Sequence, residues 1–469
     1  MHINGAFMGV RRFHGVAATV LLMAFAGPAP AMAETIEAAL VRAYQGNPQL
    51  NAQRAQVRSI DENVPQALAG YRPQAALTAS AGVQYTDSFG ASPFFGGEFH
   101  GVEPPRSAGV TVTQTLYNGG QTANKTRAAE SQVSGAREAL RLLEQTVLLA
   151  AATVYMDYLR DAAIVEVQRN NTKVLEETLV TTQGRYKYGE LTRTDVAEAE
   201  AQLAAGKTQQ LTAEANLTTT ASNYRRIIGE EPKQLAPGSP IDRFLPATLP
   251  AAVTLGLAQN PNVTAAMFGI DVNYLQIKIA EGALLPTVTL QAAVQQSYEQ
   301  QLVIYRTFGA SATAQLNVPV YQGGAEYSLI RQSQETLAQQ RYNLDVVRDQ
   351  TRADVVTAWG QLTAGKAQVA SAQAQVTASE IALDGVRDEA RAGQRITLDV
   401  LNAQQALVNA RVALVTAQHD RVVASYAVLG AVGRLSPQVL HLATSAYDPS
   451  VHYHQVRDKW VGVQTPDGH

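Results

Sequence analysis

The chain contains one structural unit written twice. The stretch TQTLYNGGQTANK begins at Thr113 and VPVYQGGAEYSLI begins at Val318. Each runs an alternating, strand-like segment into Tyr-x-Gly-Gly and then into a long polar, Ala-rich helical pattern. Tyr117 and Tyr321 are 204 residues apart, and that offset holds from Gly189 to Gly393, Asp195 to Asp399 and Gly229 to Gly433. Upstream the offset is 213, from GNPQL to QNPNV (Pro48 to Pro261) and from YRPQAALTASAGV to LLPTVTLQAAV (Pro73 to Pro286). A register held over more than a hundred residues marks duplicated architecture. It divides the chain into 34–240, 241–436 and a tail, 437–469.

Each copy reads in the same order. An amphipathic helix comes first, then a Pro at the start of a strand, where its missing donor costs least. The first strand sets Ala75, Leu77, Ala79, Ala81, Val83 and Tyr85 against Gln74, Thr78, Ser80, Gly82 and Gln84. Its return sets Ala108, Val110, Val112 and Leu116 against Gly109, Thr111, Thr113 and Thr115. The second copy alternates likewise, with Val288, Leu290, Ala292 and Val294, and then Phe308 to Val318. These hairpins, expected over 73–117 and 286–321, have the length and two-faced pattern of lipid-spanning strands around a wet lumen. The alternation alone fits a soluble sheet packed on one face equally well. Aromatic residues near the strand ends (Tyr85, Tyr117, Tyr298, Tyr305, Tyr321) and the lack of another core favour the membrane. Four strands cannot close a barrel, and lipid does not tolerate open edges, so spanning strands require several chains in one barrel. Between the strands of copy one, TDSFGASPFFGGEFHGVEPPRS reads as an extracellular loop, and its length accounts for the shift in offset.

Helices follow. Residues 121–188 and 325–392 lack Pro, and each would extend about 100 Å as one helix. A coarse seven-residue pattern (Leu140, Leu143, Val147, Ala151, Val154, Tyr158) points to coiled-coil packing rather than a globular helix. After YGELTRTD and AGQRITLD, shorter helices return over 195–228 and 399–432 and stop at Gly229 and Gly433. The paired glycines Gly119–Gly120 and Gly323–Gly324, each after its Tyr, mark the points where strand gives way to helix.

Composition narrows the function. Arg11 and Arg12, the apolar run VAATVLLMAFAG and the small residues Ala31 to Ala33 resemble a secretory signal over 1–33, with Glu34 as the mature start. The apolar run is too short for a spanning anchor. Without Arg11 and Arg12 the chain has 35 basic and 40 acidic residues, a net charge of −5 with no basic tract for nucleic acid. The absence of cysteine removes thiol chemistry, disulfides and a lipid-bearing Cys together. No later apolar run predicts a transmembrane helix. His452 and His454, at i and i+2, lack further metal ligands. No phosphate loop, nucleophile elbow or carboxylate pair predicts an enzyme or a cofactor, so energy must come from a partner.

VPVYQGG, the paired Asn-Pro motifs and GQRITLDVLNAQQAL resemble the TolC family of outer-membrane efflux and export channels, over about Glu34 to Ser436. RAYQGNPQLNAQRAQVRSIDENVPQALAGYRPQ and YDPSVHYHQVRDKWVG look like the branch serving type I protein secretion. The resemblance implies an α+β membrane fold. It implies a homotrimer that shares a twelve-stranded antiparallel barrel in outer-membrane lipid, continued by a helical coiled-coil barrel in the periplasm. It implies a passive duct whose closed inner end opens when a periplasmic adaptor and an inner-membrane ABC or other transporter engage. Multidrug efflux is the alternative cargo class, and a periplasmic coiled-coil adaptor or scaffold the more distant alternative.

By the same resemblance, Arg395 matches the gate arginine, and Thr194 and Asp195 match its acceptors. Ala390 stands where a gate tyrosine is expected, so one latch is missing. Asp399 matches an acid of the cation-favouring entrance ring, whose second acid is Asn402 here. Gly189, Leu191, Gly393 and Ile396 are the expected adaptor contacts.

Overall fold

The computed structural model describes residues 33–91, 96–301 and 304–466; the signal-like segment lies outside them up to position 32. Where the sequence reads one amphipathic leading helix, copy one has three: α1 (Ile36–Gly46), α2 (Pro48–Asp61) and α3 (Asn63–Leu68). The break lies at Asn-Pro. Asn47 is extended, its side-chain oxygen accepts from the Gln49 and Leu50 amides, and Pro48 takes the first helical position, where no donor is missed.

Strands β1 (Gln74–Ala81), β2 (Gln84–Ala91), β3 (Gly96–Glu103) and β4 (Arg106–Asn118) lead into α4 (Gln121–Lys187) and α5 (Arg193–Ile228). Copy two runs through α6 (Leu249–Gln259), α7 (Pro261–Gly282), β5 (Thr287–Gln301), β6 (Ile304–Asn317), α8 (Ala325–Arg391) and α9 (Thr397–Ala431). A short α10 (Ser450–Val456) lies in the tail.

The Asn-Pro motif has a second use, the same in both copies. Asn47 donates from Nδ2 to the Ile227 carbonyl at the end of α5 (3.4 Å), and Asn260 donates to the Ala431 carbonyl at the end of α9 (2.9 Å). One side chain therefore caps the helix it precedes and satisfies a terminal carbonyl of its own copy's return helix.

The four-stranded sheet has the order β1-β4-β5-β6, entirely antiparallel. Its register keeps like with like: Leu77 faces Val110, Val110 faces Val294, and Val294 faces Ala310. Leu77, Val110, Leu290, Phe308 and Leu316 remain exposed on one chain, and β1 and β6 are its two edges. A bulge between Thr115 and Tyr117 inserts Leu116 and brings Tyr117 opposite Val288. The stretch expected as an extracellular loop is instead largely a second hairpin. Its strands β2 and β3 form a separate two-stranded sheet that prolongs the first hairpin.

Both long helices run 67 residues, about 100 Å. Helix α7 flanks the first part of α4 and α8, while α5 and α9 flank their second parts. One core girdles the middle, where Leu40, Leu148, Tyr155, Tyr224, Tyr426 and Leu429 pack from α1, α4, α5 and α9. Against the expectation of no long apolar helix, α4 contains an 18-residue window with mean hydropathy 1.2, half of it buried. Leu148, Ala151, Ala152 and Tyr155 of that region are fully buried in the girdle, so its apolarity serves protein packing.

Candidate functional site

The two helix-to-helix tips occupy equivalent positions in the copies. At the first, Gly189 adopts φ +78°, and the amides of Gly189 and Glu190 donate back to the carbonyls of Tyr186 and Arg185. Thr192 then opens α5 with a reciprocal cap: its hydroxyl accepts from the Asp195 amide (3.3 Å), and Asp195 Oδ2 accepts from the Thr192 amide (2.8 Å). The Thr192 hydroxyl also donates to that oxygen (2.6 Å). These bonds from Thr192 hold the Asp195 carboxyl below its ordinary range. Arg185 closes the turn on Glu190 at 3.0 Å.

At the second tip Gly393 has φ +74°, but Ile396 sits where Thr192 stands in copy one and makes no side-chain cap. Arg395 donates to Glu389 at 2.8 Å and lies 3.8 Å from Asp399. Its side chain is half exposed, and these acids raise its already high pKa, hydrogen bonding to Glu389 first. Within one chain the structure therefore gives Arg395 partners on its own tip and leaves Asp195 with Thr192. Thr194, Asn402, Gly189, Gly393 and Ile396 are exposed, and Leu191, Asp399 and Ala390 are partly so.

Sequence reading missed five contributors. Glu389, the nearer partner of Arg395, sits six residues upstream and carries no motif. Thr192 was detectable, because Thr-x-x-Asp before a helix is a capping signature. Above the second tip, Arg387 donates to Gln404 (3.1 Å), and Gln404 donates to Asn171 of α4 (3.3 Å). Asn171 and Gln404 are both buried, so a polar contact joins the copies where the α8–α9 pair has its own apolar core of Val376, Leu383, Leu407 and Ala410.

Nearer the girdle, His419 of α9 lies between Asp157 of α4 (2.9 Å) and Asp420 (2.8 Å), and Arg160 pairs with Asp157 and Asp161. Burial pulls the imidazole pKa down, but the two carboxylates outweigh it and the net shift is upward.

At the sheet end of the long helices, Gly119, Gly120, Gly323 and Gly324 all have positive φ between 66° and 86°. The two junctions differ in packing. A Cβ on Gly119 would collide with the Gly282 carbonyl oxygen, whereas Gly323 and Gly324 face open space. Tyr117 and Tyr321 are exposed beside these glycines. His452 and His454 do not act together: His452 meets buried Asp61 at 3.0 Å and His454 stacks edge-on against Tyr453.

The sheet, long helices and paired tips have close counterparts. The family model described as "Outer membrane efflux protein" matches residues 39–230 and 253–434. The "Outer membrane efflux protein BepC" of Brucella suis biovar 1 is 40% identical over 459 residues, 97% of each chain. The "Alkaline protease secretion protein AprF" of Pseudomonas aeruginosa is 26% identical over 295 residues, 61% of each. The Campylobacter jejuni CmeC outer membrane channel has the same fold, with a TM-score of 0.75 and 14% identity, covering 90% of this chain and 89% of that one. The chain belongs to the outer membrane efflux protein family: it is a passive outer-membrane channel protein, not an enzyme, with its helices in the periplasm.

Proposed function

We propose that three copies of this chain close a twelve-stranded barrel and export small toxic compounds delivered by an inner-membrane transporter through a periplasmic adaptor. The observation that carries the trimer is the sheet itself. Its apolar face is exposed and, among the described residues, its edge strands β1 and β6 pair on one side only, a state that lipid penalises until neighbouring copies pair their outer sides. For cargo, the efflux name of a relative matched along 97% of both chains outweighs the secretion name of one matched along 61%. Type I protein secretion is the second reading, supported by that shorter match and by the leading-helix and tail segments.

In the closed trimer, Arg395 gives up Glu389 and engages Thr194 and Asp195 of the adjoining copy-one tip. A guanidinium on exposed oxygens holds firmly enough to latch and loosely enough to release. Asp399 repeated threefold makes a carboxylate ring weakened by Asn402, and Gly189, Leu191, Gly393 and Ile396 present small and apolar surface to the adaptor. Deleting the gene and measuring dye accumulation alongside the secreted proteome tests the cargo. Increased dye retention with an unchanged secretome is expected. Loss of a secreted protein with normal dye efflux reverses the two readings.

A further inference from the structure

The tail climbs the outside of copy one toward the sheet. His452 and Val456 of α10 are buried, with His452 on Asp61 of α2, and Tyr453 packs beside Val64, Ala129 and Val133. Arg457 then reaches Glu130 at 3.5 Å. The climb ends at the foot of β1: Arg72 Nη1 donates to the Lys459 carbonyl (2.8 Å), and its guanidinium stacks over the Trp460 ring at 4.8 Å. Beyond that clasp the side chains face outward, with Trp460 66%, Val461 84% and Val463 100% exposed.

The position of this apolar cluster decides its partner. Arg72 lies two residues before β1, whose exposed apolar face begins at Ala75 and Leu77, about 10 to 17 Å further along an extended chain. Strand tilt shortens that distance along the membrane normal, which places Trp460 near the headgroup layer beneath the hydrocarbon. Tyr71, half exposed beside the clasp, and Tyr117 and Tyr321 at the two strand-to-helix junctions add further aromatic residues near this level. Tryptophan prefers such interfaces because its ring is apolar and its N–H is polar, and the cations of Arg72 and Lys459 suit lipid phosphate.

We infer that the tail segment Lys459–Val463 is a lipid-binding anchor that seats Trp460, Val461 and Val463 in the periplasmic leaflet of the outer membrane. This rests on the reading of the sheet as part of a lipid-spanning barrel. The anchor fixes the membrane depth of copy one, through Arg72 above and Asp61 and Glu130 below.

The test uses the full chain carrying Trp359→Phe, which leaves Trp460 as the reporting tryptophan, reconstituted into phosphatidylethanolamine–phosphatidylglycerol vesicles with and without brominated acyl chains. Heat-modifiable trimer and channel conductance verify insertion separately. Brominated lipid is expected to quench Trp460 at least about twofold, and Arg72→Gln to weaken that quenching while trimer and conductance persist. Inserted, conducting trimers whose Trp460 stays water-like and open to acrylamide overturn the anchor and leave the channel reading intact. A blue-shifted Trp460 indifferent to bromine is packed on a neighbouring chain, which also overturns it. Chains that neither insert nor conduct sink the channel reading, and the anchor with it.

Discussion

The two tips began as the same turn and now solve it differently. Both use a left-handed glycine and both return a helix after the same interval, yet copy one completes its cap with Thr192 and Asp195 while copy two has Ile396 in the capping position. The first tip satisfies itself: its acid is bound to its own helix start and Arg185 is bound to Glu190. At the second, Asp399 does no capping and Arg395 spans Glu389 and Asp399 through an exposed side chain. A self-satisfied tip is a fixed surface, whereas groups held only by exposed ion pairs exchange partners at small cost. The copy-two tip is thus the one equipped to exchange its bonds.

The largest expected effect comes from removing the exchangeable group. Arg395→Ser raises single-channel conductance several-fold in planar bilayers; unchanged conductance removes Arg395 from the latch and makes the tips equivalent. Asp399→Ala lowers cation preference, read as a reversal potential closer to zero in a salt gradient, and an identical potential excludes it from the entrance ring.

Smaller effects probe the caps. Thr192→Ala costs about 1 kcal/mol of local stability and speeds amide exchange roughly fivefold at the start of α5, with conductance unaltered. Equal exchange rates would mean that the reciprocal cap contributes nothing in solution. Acid dissects the same cap. Because the Asp195 pKa is held below its ordinary 3.8, its contribution is complete above that value and disappears as pH falls through the folded one. The difference between wild type and Thr192→Ala should therefore narrow only in strong acid. The smallest change is a gain: Ile396→Thr builds the missing cap and slows exchange at the start of α9 by a factor of about two to five. No slowing would show that Asp399 is unavailable for capping.

The parts of this molecule legible in the sequence are those written by repetition and period. Alternation in 287–294, the Tyr-x-Gly-Gly pairs and the Pro-free helices each follow from local patterns that the duplication cross-checks. The Gly- and Phe-rich stretch after Tyr85 reads as loop because glycine and proline lower strand propensity, but pairing between β2 and β3 overrides it. The bulge at Leu116 leaves no mark, since Thr115, Leu116 and Tyr117 alternate acceptably without it. Contacts between distant segments were beyond reach: Asp61 and His452 are 391 positions apart, and Gln404 and Asn171 are 233. The proposed gate residues follow from resemblance, but their present partners depend on Glu389 and Thr192, which only the folded tips bring into view.

The unpaired edges β1 and β6 also have a genetic consequence. In a threefold barrel each chain offers β6 to one neighbour and β1 to the other, so one chain with a defective edge leaves a seam that two sound chains cannot mend. If mutant and normal alleles are expressed equally and mix freely, intact barrels fall to on the order of one-eighth of the total, the cube of one-half. Edge-strand alleles, such as a proline at a position of β6 whose N–H points away from β5 toward the neighbouring chain, should therefore be dominant, whereas null alleles of the same gene remain recessive.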